Sequence, residues 1–157
     1  MRFEDDGVLR GVVMPYLERT KIGSFEERFK SGAFGDIGEL RLNMAHDRKR
    51  PLCVNKKGGG LRLIDSETEL RAEVDLPDTA DGRDARELIK RGVLSGFSVE
   101  FRSVDETWND NLRTINRAEL GGLALVDRPQ YISAVIEEIR QAQEANLKAV
   151  KELWPLV

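Results

Sequence analysis

The feature that most constrains the fold is an alternation of apolar and charged residues near the middle of the chain. In the segment ELRAEVDLP, Leu70, Ala72, Val74 and Leu76 alternate with charged side chains. A period of two is typical of an antiparallel strand that has one buried face and one solvated face. Together with the preceding segment GLRLID, this pattern predicts two strands within residues 60–77.

The rest of the chain is also mainly β. Predicted strands cover residues 8–16, 39–47, 93–104 and 112–127, and predicted amphipathic helices cover residues 78–92 and 133–154. Residues 17–36 are expected to form an irregular connection around a helical turn at Phe25–Lys30. Asp81 is expected to cap the first helix, because a carboxylate at a helix start accepts hydrogen bonds from unpaired backbone N–H groups.

This order of elements predicts a mainly β fold with helices, of the α+β class. Because the strands do not alternate with helices, a parallel α/β sheet is not expected. The strands are expected to form a closed or strongly curled antiparallel β-barrel. Residues 1–131 are expected to form this domain, and residues 132–157 are expected to add a C-terminal amphipathic helix.

Composition excludes several classes of function. The chain has 157 residues, enough for one domain, and its net charge of −3 favours binding to neither nucleic acid nor an anionic membrane. No apolar run approaches the roughly 18 residues that a membrane span needs, and the N-terminus has no apolar signal core. One cysteine and one histidine allow no intrachain disulfide and fall short of a zinc ligand set, so neither a metal nor a cofactor is expected.

The segment GVLSGFSVEF holds two serines that differ in their expected surroundings. In an extended strand the apolar residues Phe97, Val99 and Phe101 share one face. Ser98 then lies on the opposite, polar face, whereas Ser95 shares the apolar face or lies in a turn. Ser98 is therefore the better candidate for a nucleophile, although a serine on a strand is more often just a solvated side chain.

A serine nucleophile needs a base, and the only histidine of the chain is His46, in LNMAHDRKRP. The histidine in turn needs a hydrogen-bond acceptor that fixes its tautomer and stabilises the imidazolium. Asp47 follows directly in sequence but points the other way in an extended segment. Glu119 and Asp127, in the following strand region, are better placed. From residue types and spacing alone, a non-catalytic interpretation of these side chains is favoured.

Four segments that follow one another in a fixed order carry a resemblance to a known family. They are GVVMPYLERTKIGSFEERFKSGAF, LNMAHDRKRPL, LRAEVDLPDTADGRDARELIKRGVLSGFSVEF and AELGGLALVDRPQY. From about Gly11 to Tyr131, the chain resembles the prohead (capsid maturation) serine proteases of tailed bacteriophages. That family is similar in fold to the herpesvirus assemblin proteases, which implies a β-barrel ringed by helices.

Carried onto this chain, the resemblance implies that Ser98 is the nucleophile and His46 the general base. Many relatives have an acidic residue three positions before the Leu-Val pair of the closing segment, where this chain has Gly122. Glu119 is the nearest acid in sequence and is the residue predicted to orient His46. The assemblins use a second histidine for this role, and this chain has none.

The resemblance also implies partners and a place of action. The expected substrates are the scaffold protein and the N-terminal segment of the major capsid protein, and the protease is expected to cleave itself near a terminus. It is expected to act inside the procapsid that assembles in the cytoplasm of the host bacterium, as a homo-oligomer such as a dimer. Residues 132–157 would then pack on the barrel, form the dimer contact or tether the domain to the scaffold.

Three alternatives remain open from the sequence. The first is a non-catalytic capsid or scaffold module that keeps the protease fold, which the glycine at position 122 favours. The second is an esterase or amidase with the same Ser98–His46 pair and a closed pocket for a small substrate. The third is a dyad of Cys53 and His46, but a lone cysteine among apolar neighbours is more often a small core residue.

Overall fold

In the computed structural model of the protein, the described part of the chain, residues 7–131, forms nine strands and one α-helix. In chain order the elements are β1 (Leu9–Pro15), β2 (Thr20–Ile22), β3 (Phe25–Phe29), β4 (Arg41–Met44), β5 (Asp47–Val54), β6 (Leu61–Asp65), β7 (Glu69–Val74), α1 (Ala80–Lys90), β8 (Gly96–Asn109) and β9 (Leu112–Val126). The helix predicted at residues 133–154 lies outside the described residues.

The strands form two open sheets. The first sheet has three strands in the order β1-β7-β6, and both of its pairs are antiparallel. The second sheet is organised by the long antiparallel hairpin of β8 and β9. On its other edge, β9 pairs with β3 near its start and with β4 near its end, and both of these pairs are parallel. Strands β2 and β5 complete the second sheet beside β3 and β4.

The predicted barrel is therefore wrong. A barrel needs every strand to have a partner on both sides, whereas both described sheets end in strands that have one partner each. The sheet stays open because β9 is long. Strands β3 and β4 both pair with the same edge of β9, one near its start and one near its end, and do not continue the sheet into a closed ring. The two parallel pairs also correct the expected all-antiparallel arrangement, and one short helix stands among residues 7–131 in place of a ring of helices.

One hydrophobic core joins the two sheets. Its cluster of buried residues includes Leu9 and Met14 from β1, Phe29 from β3 and Phe97 from β8. The alternation that predicted β7 is confirmed, because every second residue of this strand is buried. Burial of such apolar side chains is the main favourable contribution to folding.

Two local predictions need correction, and one strand is not predicted by the sequence. Residues Phe25–Phe29 form a strand instead of a helical turn, because this segment pairs with β9. Helix α1 is capped by Thr79, whose hydroxyl accepts the backbone N–H of Gly82 at 3.1 Å. Asp81 lies in the first helical turn and forms an ion pair with Arg50 of β5 at 2.8 Å. The segment of β5 itself was not predicted as a strand, since basic residues and a proline interrupt its apolar pattern.

Candidate active site

Strand β8 places Ser98 on the face opposite the core. Phe97 is 1% exposed, and Val99 and Phe101 pack against the core cluster. Because side chains alternate along a strand, Ser98 and Glu100 share the other face of β8. Ser98 is half-buried, and its hydroxyl forms no hydrogen bond with any residue between positions 7 and 131. Within this range, no side chain or backbone group competes with a substrate for the hydroxyl.

Ser95 has a structural role at the start of the same strand. Its hydroxyl donates a hydrogen bond to the carbonyl oxygen of Asp127 at 2.6 Å, and its backbone N–H donates to the carbonyl oxygen of Val126 at 2.8 Å. These two bonds join the beginning of β8 to the end of β9. Since the hydroxyl proton of Ser95 is already donated to a carbonyl, the geometry favours Ser98 as the nucleophile.

His46 lies in the two-residue turn that joins β4 to β5. Met44 pairs with Asp47 across the turn, and Ala45 and His46 have positive φ angles of 49° and 60°. Two successive left-handed residues make a type I′ turn, whose twist matches that of the flanking strands. The backbone N–H of Ala45 donates to the carbonyl oxygen of Leu125 at 2.9 Å, which holds the turn against β9.

The imidazole of His46 contacts the carboxylate of Glu100. The distance between His46 Nδ1 and Glu100 Oε1 is 3.1 Å, and Glu100 Oε2 lies 3.3 Å from Arg48 Nη2. Glu100 and Ser98 are two residues apart on one strand face, so their Cα atoms are separated by roughly 6.8 Å. When a carboxylate holds Nδ1, the second ring nitrogen is left to accept a proton, which is the arrangement that a serine nucleophile requires.

No role for Glu100 is predicted from the sequence. The signal that could have identified it is the spacing Ser98-x-Glu100, which places both side chains on the polar face of β8. The missing information was the position of the β4–β5 turn, since only the pairing of β4 with β9 brings His46 to this part of the sheet.

Glu119, the acid predicted from the sequence, has a different partner. Its Oε2 lies 2.7 Å from Nη2 of Arg102, its cross-strand neighbour, and both side chains are about two-thirds exposed. Within residues 7–131, no ion pair or hydrogen bond joins Glu119 to His46. The structure thus brings His46 to Glu100 and leaves Glu119 in a solvent-exposed pair farther along the same hairpin.

Asp47 and Asp127, the other two candidate acids from the sequence, do not form an ion pair or hydrogen bond with His46 within residues 7–131. The Asp47 carboxylate accepts the backbone N–H of Lys49 at 2.9 Å. Asp127 is exposed, and its carbonyl oxygen accepts the Ser95 hydroxyl. Among the acids that the structure describes, Glu100 is therefore the one in contact with the imidazole.

Comparison with known proteins decides the family. A family model described as caudovirus prohead serine protease matches residues 2–150 of the chain. The chain belongs to the caudovirus prohead serine protease family. A search of curated proteins and a search of solved structures each found no significant match. The family match extends past residue 131, into the segment that the sequence assigned to a C-terminal helix.

In this family member, a cavity of about 310 Å³ lies beside Ser98. Its apolar lining comes from β1, β2 and β8: Val13, Met14, Ile22, Phe97, Val99 and Phe101. Glu27 is 4% exposed at this cavity, and its carboxylate accepts hydrogen bonds from the Tyr131 hydroxyl at 2.9 Å and from Arg113 Nη1 at 3.1 Å. Burial, followed by the charge of Glu27, raises the pKa of Tyr131, so the hydroxyl remains a donor. The buried carboxylate is thus paired, and the cavity suits an apolar side chain.

Cys53 of this family member is a buried thiol with an acceptor of its own. Its Sγ lies 3.4 Å from the carbonyl oxygen of Asp75, and the residue is 6% exposed. Burial, and then the charge of Asp75, raises the pKa of the Cys53 thiol to about 11. Because the thiolate is the nucleophilic form, a thiol that stays protonated at neutral pH does not support a Cys–His dyad.

We expect the folded protein to resist alkylation of Cys53 by iodoacetamide at mildly alkaline pH, because the thiol is buried and protonated. The same protein unfolded in urea should gain one alkyl group, since the chain has one cysteine. Intact mass measured over a time course checks both statements. Equal alkylation rates for the folded and the unfolded protein would contradict the buried environment of this thiol.

Among residues 7–131, no group of three or more His, Cys, Asp and Glu side chains is arranged to hold a metal ion. No helix in the same residues is long and apolar enough to cross a membrane.

Proposed function

We propose that the protein is the serine endopeptidase of phage capsid maturation, with Ser98 as its nucleophile and His46 as its general base. One observation carries this proposal. In a member of a prohead serine protease family, His46 is held by Glu100 on the strand face that bears Ser98. A non-catalytic module that kept only the fold would have no need to orient the imidazole through a carboxylate that shares a strand face with Ser98.

The chemistry would be acyl transfer. Ser98 Oγ attacks the carbonyl carbon of the peptide bond while Nε2 of His46 takes the hydroxyl proton. The imidazolium then gives this proton to the amine that leaves as the C–N bond breaks. The same nitrogen next deprotonates a water molecule, which hydrolyses the acyl-serine and restores the free hydroxyl. A hydrogen bond between the serine and the histidine commonly forms or shortens only when substrate is bound.

Two features of the site favour a peptide over a small ester or amide. Strand β8 pairs with β9 along one edge, and no strand within residues 7–131 pairs with its other edge. An exposed strand edge can bind an extended peptide through main-chain hydrogen bonds, while pockets for alternate side chains give specificity. The cavity beside Ser98 supplies such a pocket for an apolar side chain.

The family supplies the biological substrates of this proposal. A prohead protease acts on scaffold and capsid proteins inside the procapsid. We assign to this protein the scaffold and the N-terminal segment of the major capsid protein, together with cleavage of its own chain. The unpaired edge of β8, the strand that carries Ser98, fits these three substrates, because each would present an unfolded segment in an extended conformation.

Co-expression with the major capsid protein from the same phage genome tests the proposed function. Wild type is expected to shorten the capsid protein at a defined site, and the double variant Ser98→Ala/His46→Ala is expected to leave it whole. Intact mass of the capsid protein from assembled shells reads out both results. If the capsid protein stays whole beside wild type in such shells, the endopeptidase assignment fails and a non-catalytic capsid module is favoured. Hydrolysis of small esters alone would favour the esterase alternative.

A further inference from the structure

Gly122 is the direct cross-strand partner of Glu100, and its lack of a side chain makes room for the glutamate. A Cβ atom added to Gly122 would lie 2.9 Å from Glu100 Oε2 and 3.2 Å from Glu100 Cδ. Gly122 is itself buried and is not among the glycines with positive φ. The glycine at this position therefore leaves space for the observed position of the Glu100 carboxylate, which a side chain here would displace, and it does not serve an unusual backbone conformation.

Glu100 needs this space because its partner, His46, lies on the far side of β9, in the turn between β4 and β5. In the sheet, β9 separates β8 from β4, and the His46 turn follows β4. Neighbouring strands are about 4.8 Å apart, so a side chain on β8 reaches the turn only by passing over β9. The Glu100 side chain does so above Gly122.

The backbone beside this pair is irregular in the same place. Glu100 pairs with Gly122 and Phe101 pairs with Leu120, so Gly121 is an extra residue without a partner on β8. Such a β-bulge bends the strand locally and redirects the neighbouring side chains. At the end of the carboxylate, Oε2 contacts Arg48 at 3.3 Å, which leaves Oε1 directed to the imidazole.

We infer that Glu100 is the residue that positions His46, and that it does so from β8 in place of the acidic residue that the family resemblance implies at position 122. Because the two positions face each other across one cross-strand pair, a carboxylate on either strand can occupy the same region beside the histidine. Gly122, which favours a non-catalytic interpretation of the sequence, thus leaves the space in which the carboxylate of Glu100 lies. This inference rests on the proposed function for its effect on activity.

Glu100 is a positioning residue, since it acts through the imidazole. Both side chains are about one-third exposed, with relative exposures of 33% for His46 and 38% for Glu100, so solvent screens their charges. The main effect of the contact is therefore the choice of tautomer: a carboxylate at Nδ1 keeps the neutral ring protonated there and leaves Nε2 as the base.

The tautomer is directly measurable, because the chain contains one histidine. In protein labelled with ¹⁵N-histidine, the two ring nitrogens of wild type at a pH where the ring is neutral should report a proton on Nδ1. Glu100→Ala should shift this population toward the Nε2–H form. Glu87→Ala, which removes another exposed and ion-paired carboxylate, is the matched control and should leave the ring signals unchanged. An Nε2–H ring in wild type, or no change in Glu100→Ala, would overturn the inference.

Activity supplies the second readout. Glu100→Ala is expected to lower kcat/KM for a capsid-derived peptide by about 10³–10⁴-fold, as for the loss of the acid from a serine triad. The exchanged pair Glu100→Gly/Gly122→Glu is expected to recover at least about tenfold over Glu100→Gly alone, because it returns a carboxylate to the same region from the opposite strand. Thermal unfolding of each variant separates loss of fold from loss of the acid.

The outcomes separate this inference from the proposed function. If wild type cleaves no peptide but the tautomer shifts in Glu100→Ala, the positioning role stands and the protease assignment fails. If wild type is active and Glu100→Ala keeps that activity, the positioning role fails and the protease assignment stands. Loss of activity in Glu119→Ala to the level expected for Glu100→Ala would assign the role to Glu119 and overturn the inference.

Discussion

Replacing Ser98 by alanine is expected to lower kcat for cleavage of a capsid-derived peptide by up to about 10⁶-fold, because the attacking oxygen is removed. Removal of His46 should have an effect of similar size, since an unactivated serine hydroxyl is a weak nucleophile. Residues that act as one unit are strongly non-additive, so Ser98→Ala/His46→Ala should be no slower than either single variant. The measurement is kcat and KM from a fluorescence-quenched peptide that spans the site found by co-expression.

Ser95→Ala is the control for this prediction. It removes a hydroxyl from the same segment, but that hydroxyl is bonded to the carbonyl oxygen of Asp127 and not to the histidine. We therefore expect kcat close to that of wild type and a loss of about 1 kcal/mol in the free energy of unfolding. An active Ser98→Ala variant together with an inactive Ser95→Ala variant would reverse the assignment of the two serines.

The largest effect on stability is expected from Phe29→Ala. Phe29 is fully buried, and its ring contacts those of Phe34, Phe101 and Tyr131 at centroid distances of 5.2, 4.8 and 5.9 Å. Truncation of a buried phenylalanine leaves a cavity and typically lowers the free energy of unfolding by about 3–5 kcal/mol. A loss of this size is a large part of the roughly 5–15 kcal/mol that stabilises a domain. Urea unfolding followed by fluorescence measures it.

Phe25 on the same strand is the matched comparison. Its side chain is half-buried and has one aromatic partner, Trp108, which is itself 50% exposed. Phe25→Ala removes the same atoms from a less buried environment, and we expect a loss of about 1 kcal/mol. If Phe25→Ala and Phe29→Ala lowered the free energy of unfolding equally, the aromatic cluster around Phe29 would not join β3 to β8 as the structure indicates.

The elements with regular periodicity were predictable from the sequence. The alternation in β7 and the two faces of β8 follow from side-chain spacing, and the burial of Leu70, Val74 and Phe97 confirms both. Helix α1 was also predicted, although its cap is Thr79 and not Asp81. Local patterns succeed here because they depend on which face of one element is buried.

The arrangement of the strands was not predictable in the same way. Residues Phe25–Phe29 were expected to be helical, and they form a strand because β9 offers them a parallel partner from Leu112 to Ile115. The predicted barrel failed for a related reason. Closure depends on which strands meet across long separations in sequence, and neither periodicity nor turn residues specify those partners.

The sequence by itself determined the order of the family's motifs, the polar face of β8 that carries Ser98, and the identity of the only histidine. Tertiary structure alone decided which acid meets that histidine. Glu119 is nearer to the expected position along the chain, but the bulge at Gly121 and the pairing of β4 with β9 bring His46 to Glu100 instead. A contact across three strands is set by register, and register is a property of the assembled sheet.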